Sequence, residues 1–279
     1  MKISIVTVAR DAQDVILDAL ESVYQQMRKS YSLQHIVVDG GSTDGTVGKI
    51  MDFAARHSGK NGEDGYEMVW VSEPDNGLYD AMNKGVKMAT GDIVGIVHAD
   101  DMLASDRVLE SVAQKFIAER DLDFVYSDVR FVDRDAKLED LPHAITRRYI
   151  CPRFWHPCMF AIGYAPPHPG QYIRKSCFEK WGYYNLSYKI GADYDMNLRF
   201  LHGNKAKRSY LRQCSVAMRL GGASTDKSAA GNFARNNQDV IAANKANGYA
   251  GAKWLIAGKL PIKALEIIVP KIFHNIGAR

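Results

Sequence analysis

The hydrophobic positions of the first hundred residues follow two periods that alternate along the chain. Short apolar runs rich in β-branched residues predict buried strands at residues 3–8, 35–38, 66–72 and 93–97. Between these runs, apolar residues recur every three to four positions, which predicts helices near 16–27, 47–54 and 78–89. Strands that alternate with helices indicate an α/β fold, with a mostly parallel sheet flanked by helices.

Polar side chains follow the predicted strands at the points where the strands end. Thr7, Asp39, Glu73 and the adjacent pair Asp100 and Asp101 all lie at predicted carboxyl ends. Ligands of parallel sheets bind beyond those ends. Two neighbouring carboxylates repel each other, and a divalent cation such as Mg²⁺ or Mn²⁺ would relieve that repulsion. Capping of the next helix is the alternative that the Asp pair alone leaves open.

The second half of the chain breaks the regular alternation. A predicted helix at 106–119 leads to a strand at 124–133, which is expected to enter a hairpin through 133–136. Residues 142–172 are rich in proline, aromatic residues and histidine, and form either a rigid linker or an ordered binding loop. Asp193 stands at the start of a further predicted helix, where a capping role and a functional role are both open.

Composition and charge limit the classes of function. With 46% hydrophobic and 24% charged residues, the chain is an ordinary globular protein, and a net charge of +4 is too weak to indicate a nucleic-acid partner. The four cysteines show neither CxxC spacing nor disulfide density, which favours reduced thiols in the cytoplasm. No stretch reaches the ~20 apolar residues of a membrane-spanning helix.

The C-terminal residues 253–273 mix apolar residues and lysines with almost no acids. This pattern predicts a basic amphipathic extension that could contact the inner face of the cytoplasmic membrane. A helix that packs on the core or on a second copy is the alternative. Pro261 and Pro270 are expected to break a single long helix.

Several stretches, taken in order, resemble the family 2 inverting glycosyltransferases with the GT-A, or nucleotide-diphospho-sugar transferase, fold. The similarity extends over about residues 1–225, and the bacterial transferases of exopolysaccharide, O-antigen and colanic-acid assembly are the most similar kind. The stretches that carry it are residues 4–8, 37–46, 72–85, 89–101, 192–195 and 221–224.

The resemblance implies both an organisation and an activity. It implies a GT-A domain over 1–225, with a nucleotide-sugar half at 1–130 and an acceptor half at 131–225, and a C-terminal helical extension at 226–279. The implied activity is metal-dependent, inverting transfer of a single sugar from a nucleotide-diphosphate sugar, with UDP favoured. The acceptor would be a carbohydrate or lipid-linked carbohydrate hydroxyl in cell-surface polysaccharide assembly. The QxxRW motif of processive relatives is absent from the sequence.

The resemblance also assigns residues to the nucleotide sugar. Thr7 and Asp39 match positions that hold the nucleobase. Asp75 and Lys84 match positions near the base and the diphosphate, and Asp100 matches the acid near the ribose.

The remaining implied roles concern the metal and the acceptor. Asp101 matches the ligand of Mn²⁺ or Mg²⁺, and Asp193 matches the general base that deprotonates the acceptor hydroxyl. His168 matches an acceptor-side or metal-adjacent histidine, although a buried structural histidine is an equal alternative. His98 stands where relatives more usually carry Asn, and packing is its favoured role.

Two other classes of function remain as alternatives. A nucleotidyltransferase would need a glycine-rich phosphate loop near the N-terminus, which residues 7–11 match poorly. A non-catalytic nucleotide-sugar-binding module of the same fold would have no need to retain both Asp101 and Asp193.

Overall fold

Strands of both halves of the chain join one sheet. The computed structural model describes residues 1–57, 65–221, 229–249 and 258–277. Nine strands within these residues are β1 (Lys2–Ala9), β2 (Ser32–Asp39), β3 (Tyr66–Ser72), β4 (Ile93–His98), β5 (Asp101–Leu103), β6 (Phe124–Val132), β7 (Arg148–Ile150), β8 (Gln171–Arg174) and β9 (Arg208–Arg219). They are ordered β3-β2-β1-β4-β8-β6-β9-β5, with β7 paired to β6.

Helices cover both faces of this sheet. Their bounds are α1 (Ile16–Tyr24), α2 (Thr46–His57), α3 (Leu78–Met88), α4 (Val108–Ala118), α5 (Lys175–Trp181), α6 (Ala192–Asn197), α7 (Ala229–Ala246) and α8 (Lys259–Gly277). Helix α6 continues directly into a π-helical turn at Leu198–Gly203.

The strand directions divide the sheet into two parts. Strands β1 to β4 are mutually parallel, as the alternation of strand and helix predicted. The second part is mixed, because β8 runs antiparallel to β4 and β6 while β9 runs parallel to β6. The α/β fold class is therefore confirmed, and the parallel order holds for the first half only.

The predicted hairpin after β6 returns later than the sequence suggested. A turn does form at 133–136, where the Ala136 amide donates to the Asp133 carbonyl at 3.1 Å. The antiparallel partner of β6 is β7, which begins at Arg148. The predicted connection after β6 was too short, because the sequence signal for one tight turn does not show which later residues pair with β6.

Strand β1 is buried on both faces. Val6 and Val8 belong to the apolar cluster that contains Tyr79 and Met82 of α3. Ile3 and Ile5 belong to a second cluster, on the opposite face, with residues of α4. Alternate residues of a strand point to opposite faces, so β1 holds the two helical layers together.

Helix α3 packs closely on β1 at a glycine. A Cβ added at Gly85 would lie 2.2 Å from Cγ1 of Val6. We expect Gly85→Ala to lower the free energy of unfolding by about 1–3 kcal/mol through overpacking, as measured by urea denaturation. Gly48→Ala in α2 is the matched control, because nothing lies within 4 Å of its added Cβ. An equal effect of the two substitutions would contradict this packing.

Helix α8 is amphipathic with its charged side turned inward. Lys259 and Glu266 are buried and Lys263 is half-buried. Its outward face is apolar and exposed, and consists of Leu260, Leu265, Ile267, Ile268 and Val269. Among the helices that the structure describes, none is both long and apolar enough to cross a membrane.

The expected break of this helix at Pro270 was wrong. Helix α8 runs through Pro270 to Gly277. Pro261 lies in the first turn, where backbone N–H groups lack helical acceptors in any case. Pro270 is buried against the protein, and we attribute its tolerance to that burial, which offsets the lost hydrogen bond.

Three sequence features fall partly outside the described residues. These are the predicted domain boundary at 225, the motif at 221–224, of which only Gly221 is described, and the C-terminal stretch 253–273, of which residues 253–257 are not described. The divisions 1–130, 131–225 and 226–279 stay predictions.

Candidate functional site

A cavity of about 810 Å³ opens beyond the carboxyl ends of β1 and β4. Five of the predicted site residues line it, and they come from both halves of the chain. These are Asp75, Asp100, Asp101, His168 and Asp193. Asp75, Asp100 and Asp101 converge because parallel strands end at the same edge of the sheet, whereas His168 and Asp193 reach the cavity from a short helical turn and from α6.

Asp101 is the most deeply buried carboxylate of the cavity. It begins β5, where it pairs with Met218 of β9, and its exposed fraction is 1%. Its Oδ2 atom is buried and has no hydrogen-bond partner among the described residues. Burial, and then the charge of Asp100, raise the pKa of the Asp101 carboxyl well above its usual value. Such an oxygen needs a proton or a cation as its partner.

Arg219 of β9 is a cationic neighbour of the Asp pair that no sequence motif marked as a site residue. Its buried guanidinium donates to the carbonyl of Ala136 at 2.7 Å and to the carbonyl of Asp100 at 3.2 Å, and it pairs with Asp18. Its charge opposes the rise in the Asp101 pKa. Only the pairing of β5 with β9 brings this residue to the Asp pair.

Asp39 organises the glycine-rich loop that follows β2. Its buried carboxylate accepts the amides of Gly41 and Ser42 at 3.1 and 2.9 Å, and the hydroxyl of Ser72 at 2.7 Å. Asp39 is not among the residues that line the cavity, so its contact with a nucleobase stays a prediction.

Thr7 lies within β1, two residues before the strand ends. It is fully buried, its hydroxyl is 2.9 Å from Nε2 of His35, and it does not line the cavity. Sequence placed Thr7 at the strand end because the apolar run stopped at Val8, whereas the strand continues to Ala9. Its contact with a nucleobase stays a prediction that this geometry does not favour.

Asp75 reaches the cavity from the turn after β3. Its Oδ1 accepts the amide of Gly77 at 2.8 Å, and its Oδ2 would lie 2.2 Å from a Cβ added at Gly40. Glycine at position 40 therefore leaves the space that the Asp75 carboxylate occupies in this structure.

Lys84 supports that turn and does not line the cavity. Its ammonium group lies 2.9 Å from Glu73 and donates to the carbonyl of Pro74 at 3.0 Å. The hydrogen bond to Glu73 raises the pKa of Lys84. Glu73 thus forms an ion pair with Lys84. A contact of Lys84 with a diphosphate stays a prediction.

Asp193 enters the cavity from the first turn of α6. Its Oδ1 accepts the amide of Tyr194 at 2.8 Å and lies 3.2 Å from the hydroxyl of Tyr79. Burial raises the pKa of the Asp193 carboxyl. The raised pKa makes this carboxylate a stronger base than an exposed aspartate.

Asp239 of α7 fixes the segment that precedes α6. Its Oδ2 accepts the amides of Ile190 and Gly191, both at 3.0 Å. The hydroxyl of Tyr79 lies 2.5 Å from the carbonyl of Ile190. Neither Tyr79 nor Asp239 was selected from the sequence, because no local motif marks a residue that positions another one far along the chain.

His168 is buried and electrically neutral. Its Nε2 lies 2.8 Å from the hydroxyl of Tyr184, and its ring centroid lies 6.2 Å from that of His98. Burial, and then the proximity of His98, lower the pKa of His168 to about 3. The residue lines the cavity as a hydrogen-bonding group without charge, and its acceptor-side role stays a prediction.

The cavity wall formed by β7 and α8, which we call the basic wall, consists of Arg148, Lys259, Lys263 and Glu266. Glu266 accepts from Nε of Arg148 at 2.8 Å and from the hydroxyl of Tyr164 at 3.1 Å. Lys259 donates to Asn237 of α7 at 2.7 Å. Burial, and then the charge of Lys263, lower the pKa of Lys259 to about 8.

The described residues contain no group of three or more His, Cys, Asp or Glu side chains arranged to hold a metal ion. The two carboxylates at 100 and 101 could nevertheless supply part of a coordination sphere whose other oxygens come from a ligand and water. Mg²⁺ commonly binds in this way, through one or two carboxylates and substrate phosphates. The unpartnered Oδ2 of Asp101 fits such an ion.

Comparison with known proteins gives a consistent result. Residues 4–178 match the family model described as glycosyl transferase family 2. The chain is 32% identical over 200 residues to the PGL/p-HBAD biosynthesis glycosyltransferase of Mycobacterium bovis (strain BCG / Pasteur 1173P2), which is 70% of this chain and 68% of that relative.

Two solved structures share the fold. The structure of S. aureus TarS 1–349 in complex with UDP-GlcNAc has a TM-score of 0.61 at 16% identity, covering 87% of this chain and 66% of that one. The chain thus spans slightly less than two thirds of the TarS structure. The mannosyltransferase PcManGT from Pyrobaculum calidifontis, in complex with GDP-Man and Mn²⁺, has a TM-score of 0.59 at 17% identity, covering 99% and 79%.

Proposed function

The chain belongs to glycosyl transferase family 2, and we propose that it transfers a single sugar from a nucleotide-diphosphate sugar to an acceptor hydroxyl with inversion at the anomeric carbon. The observation that carries this proposal is the placement of Asp193 in the same cavity as Asp100 and Asp101. A direct displacement needs a base for the acceptor proton and positive charge beside the departing diphosphate, which the carboxylate pair could supply by holding a cation.

The nucleotide sugar would occupy the part of the cavity next to the first half of the sheet. Asp75 and Asp100 line this part and can accept hydrogen bonds from the base and the ribose. Asp39 and Lys84 would act indirectly, by holding the loops that carry these contacts. UDP is the favoured nucleotide, and solved neighbours with UDP-GlcNAc and GDP-Man make both nucleotides worth testing.

Asp101, with Asp100 beside it, would hold a divalent cation, either Mn²⁺ or Mg²⁺. The buried and unpartnered Oδ2 of Asp101 supports this assignment. A neighbour solved with Mn²⁺ supports it independently. When bound, such an ion stabilises the negative charge that develops on a departing diphosphate.

Asp193 would accept the proton of the acceptor hydroxyl. As the acceptor oxygen forms its bond to the anomeric carbon, the bond from that carbon to the diphosphate oxygen breaks, and the proton goes to the Asp193 carboxylate. The hydroxyl of Tyr79 and the amide of Tyr194 hold this carboxylate in one orientation. A single displacement inverts the configuration of the anomeric carbon.

The acceptor that we propose is a lipid-linked carbohydrate at a membrane surface. The outward face of α8 exposes five large apolar side chains, while the inward face places cations in the cavity. A helix with this distribution can lie on a membrane with its apolar face in the lipid. The mouth of the cavity would then open beside the lipid.

Membrane contact through α8 gives a direct prediction. We expect Leu265→Glu with Ile268→Glu to reduce co-sedimentation with anionic lipid vesicles by about tenfold or more, because two exposed apolar side chains are lost from the contact. Ile117→Glu with Leu186→Glu is the matched control, since these residues are equally exposed elsewhere. Retained binding by the α8 variant would exclude this surface.

Calorimetric titration with UDP, GDP and dTDP tests the donor assignment. We expect one nucleoside diphosphate to bind selectively, and to bind more weakly when a chelator replaces Mn²⁺ or Mg²⁺. A nucleotidyltransferase would instead release pyrophosphate from a nucleoside triphosphate and a sugar 1-phosphate. Nucleotide binding without transfer to any lipid-linked acceptor would favour a binding module.

A further inference from the structure

Two histidines lie side by side in the cavity, near the end of β4 and the beginning of β8. His98 is the last residue of β4, and His168 precedes the first residue of β8 by three positions. Strand β8 runs antiparallel to β4, with Tyr172 opposite Gly95, so the chain that leads into β8 passes beside the end of β4. The two imidazole centroids are 6.2 Å apart, and both residues line the cavity. The strand pairing thus places two imidazole rings together in the cavity wall.

A chain of buried hydrogen bonds holds His168 from behind. Asn83 of α3 exchanges two hydrogen bonds, both of 2.9 Å, with the backbone of Tyr184. The hydroxyl of Tyr184 lies 2.8 Å from Nε2 of His168. The exposed fractions of Asn83, Tyr184 and His168 are 6%, 3% and 8%. Buried polar groups are costly unless they are paired, and these are paired in a way that fixes one ring of the cavity wall.

The same chain sets the tautomer of His168. Burial raises the pKa of Tyr184 and keeps its hydroxyl protonated, and the described residues offer that hydroxyl no acceptor other than Nε2 of His168. Burial lowers the pKa of His168 to about 3, so its ring is neutral. A neutral imidazole that accepts at Nε2 carries its proton on Nδ1. His168 therefore has an N–H donor that is not used by Tyr184.

This donor and the nitrogens of His98 are open to the cavity. Within the ranges that the structure describes, neither Nδ1 of His168 nor either ring nitrogen of His98 has a hydrogen-bond partner, and none of the three is a fully buried atom. Both residues belong to the cavity wall. The two rings together can therefore donate hydrogen bonds to a ligand and accept them from it.

The two histidines lie between the Asp pair and Asp193. His98 is two residues before Asp100 in the sequence. On the other side, the ring of Tyr184 stacks on that of Tyr79 with centroids 5.7 Å apart, and the hydroxyl of Tyr79 lies 3.2 Å from Asp193. In the proposed reaction, the anomeric carbon lies between the diphosphate at the Asp pair and the acceptor hydroxyl at Asp193. The ring of the transferred sugar would then lie beside the two histidines.

We propose that His98 and His168 bind hydroxyl groups of the transferred sugar and so help to select the donor. This inference rests on the proposed transfer reaction and deepens it, because it names residues that recognise the sugar instead of the nucleotide. A neutral imidazole offers one donor and one acceptor, and a sugar hydroxyl can pair with either. A site that hydrogen-bonds a hydroxyl also rejects a sugar that lacks it, because the site's polar groups are then left unpaired.

Calorimetric titration of the full chain in the presence of Mn²⁺ tests this contact. The probes are UDP-glucose, UDP-GlcNAc and GDP-mannose, and each is compared with its nucleoside diphosphate. We expect His168→Gln to weaken binding of the sugar nucleotide that the wild type prefers by about three- to tenfold, because one neutral hydrogen bond is lost. The affinity for the nucleoside diphosphate is expected to stay unchanged.

The choice of substitutions separates the sugar contact from folding. Glutamine at position 168 can still accept from Tyr184 but has no group at the place of Nδ1. His98→Phe removes the nitrogens of the second ring, and we expect the double variant with His168→Gln to lose about tenfold or more. His143→Gln, at an exposed position outside the cavity, is the matched control.

Tyr184→Phe tests the positioning of His168 independently of affinity. It keeps the ring that stacks on Tyr79 and removes the hydroxyl that sets the tautomer. Two-bond ¹⁵N–¹H correlation spectra of the imidazole are expected to show the proton on Nδ1 in the wild type and a mixture of tautomers in the variant. A wild-type proton on Nε2, or an unchanged spectrum in the variant, would contradict this role of Tyr184.

Two binding results would overturn the sugar contact. An equal loss of affinity for the sugar nucleotide and for the nucleoside diphosphate would assign the histidines to the nucleotide. Unchanged affinity for the sugar nucleotide, with a raised KM for the acceptor, would assign His168 to the acceptor. Failure of the proposed transfer is a separate result, because it appears as sugar nucleotide binding without release of nucleoside diphosphate by the wild type.

Discussion

Replacing Asp193 with Asn is expected to lower the rate constant for sugar transfer by about 10²- to 10⁴-fold, because the amide cannot accept the acceptor proton. The affinity for the nucleoside diphosphate should stay close to that of the wild type, because the hydrogen bonds of Asp193 go to Tyr79 and Tyr194 and not to Asp100 or Asp101. Single-turnover kinetics and calorimetry on the same preparation measure the two quantities.

Tyr79→Phe provides a graded comparison for Asp193. It removes the hydroxyl that lies near both Asp193 and the carbonyl of Ile190 while the carboxylate remains. We expect a loss of about tenfold, smaller than that of Asp193→Asn, because the base is present but less well oriented. Full activity of Asp193→Asn would contradict the assignment of the base.

The same carboxyl predicts how the rate responds to pH. Burial raises the pKa of Asp193 in the folded protein above its usual value. The base is therefore protonated over a wider acidic range than an exposed aspartate, and activity should fall as the pH decreases through that raised pKa. Asp193→Asn should remove this acidic limb from the pH profile of its residual activity.

Asp101→Asn is expected to abolish the effect of Mn²⁺ on nucleoside diphosphate binding. The substitution removes the charge of the buried carboxylate and leaves an amide that binds divalent cations weakly. Electron paramagnetic resonance of free Mn²⁺, titrated with protein and nucleotide, should show at least tenfold weaker metal binding. Asp52→Asn, on an exposed position of α2, is the control.

Folding of the Asp101→Asn variant should not be impaired. The amide removes the repulsion between positions 100 and 101 that contributes to the raised pKa of Asp101. We expect the variant without metal to unfold at a temperature equal to or above that of the wild type. Unchanged Mn²⁺ binding would place the metal elsewhere.

The first half of the fold could be predicted from sequence because its signals are local. Alternating strand and helix periods define β1 to β4, and their parallel order brings Asp75 and Asp100 to one edge of the sheet. The family resemblance then selected Asp193, which the structure places in the same cavity.

The rest of the site depends on contacts between residues that are far apart in the sequence, which local sequence patterns do not predict. Asp101 begins a strand instead of only a loop, because β9 pairs with it after more than one hundred intervening residues, and the same pairing delivers Arg219. Lys84 has the residue type expected near a diphosphate, yet Glu73 lies close enough to pair with it.

The orientation of helix α8 could not be predicted from its sequence pattern. Its sequence shows that one face is apolar and the other is basic, and an apolar face normally packs inward. The structure has the opposite orientation, with Lys259 inside and Leu265 outside. Periodicity gives the faces of a helix but not the direction in which each face points.

Release of nucleoside diphosphate tests the central claim most directly. The wild type and Asp101→Asn are incubated with UDP- and GDP-sugars, a membrane lipid extract as acceptor, and either Mn²⁺ or a chelator. Our account expects the wild type to release diphosphate from one donor class only with the metal, and the variant to release almost none. Nucleoside diphosphate release that is unchanged by the chelator and by Asp101→Asn would contradict metal-dependent sugar transfer at Asp101. Formation of pyrophosphate instead of nucleoside diphosphate would contradict it as well.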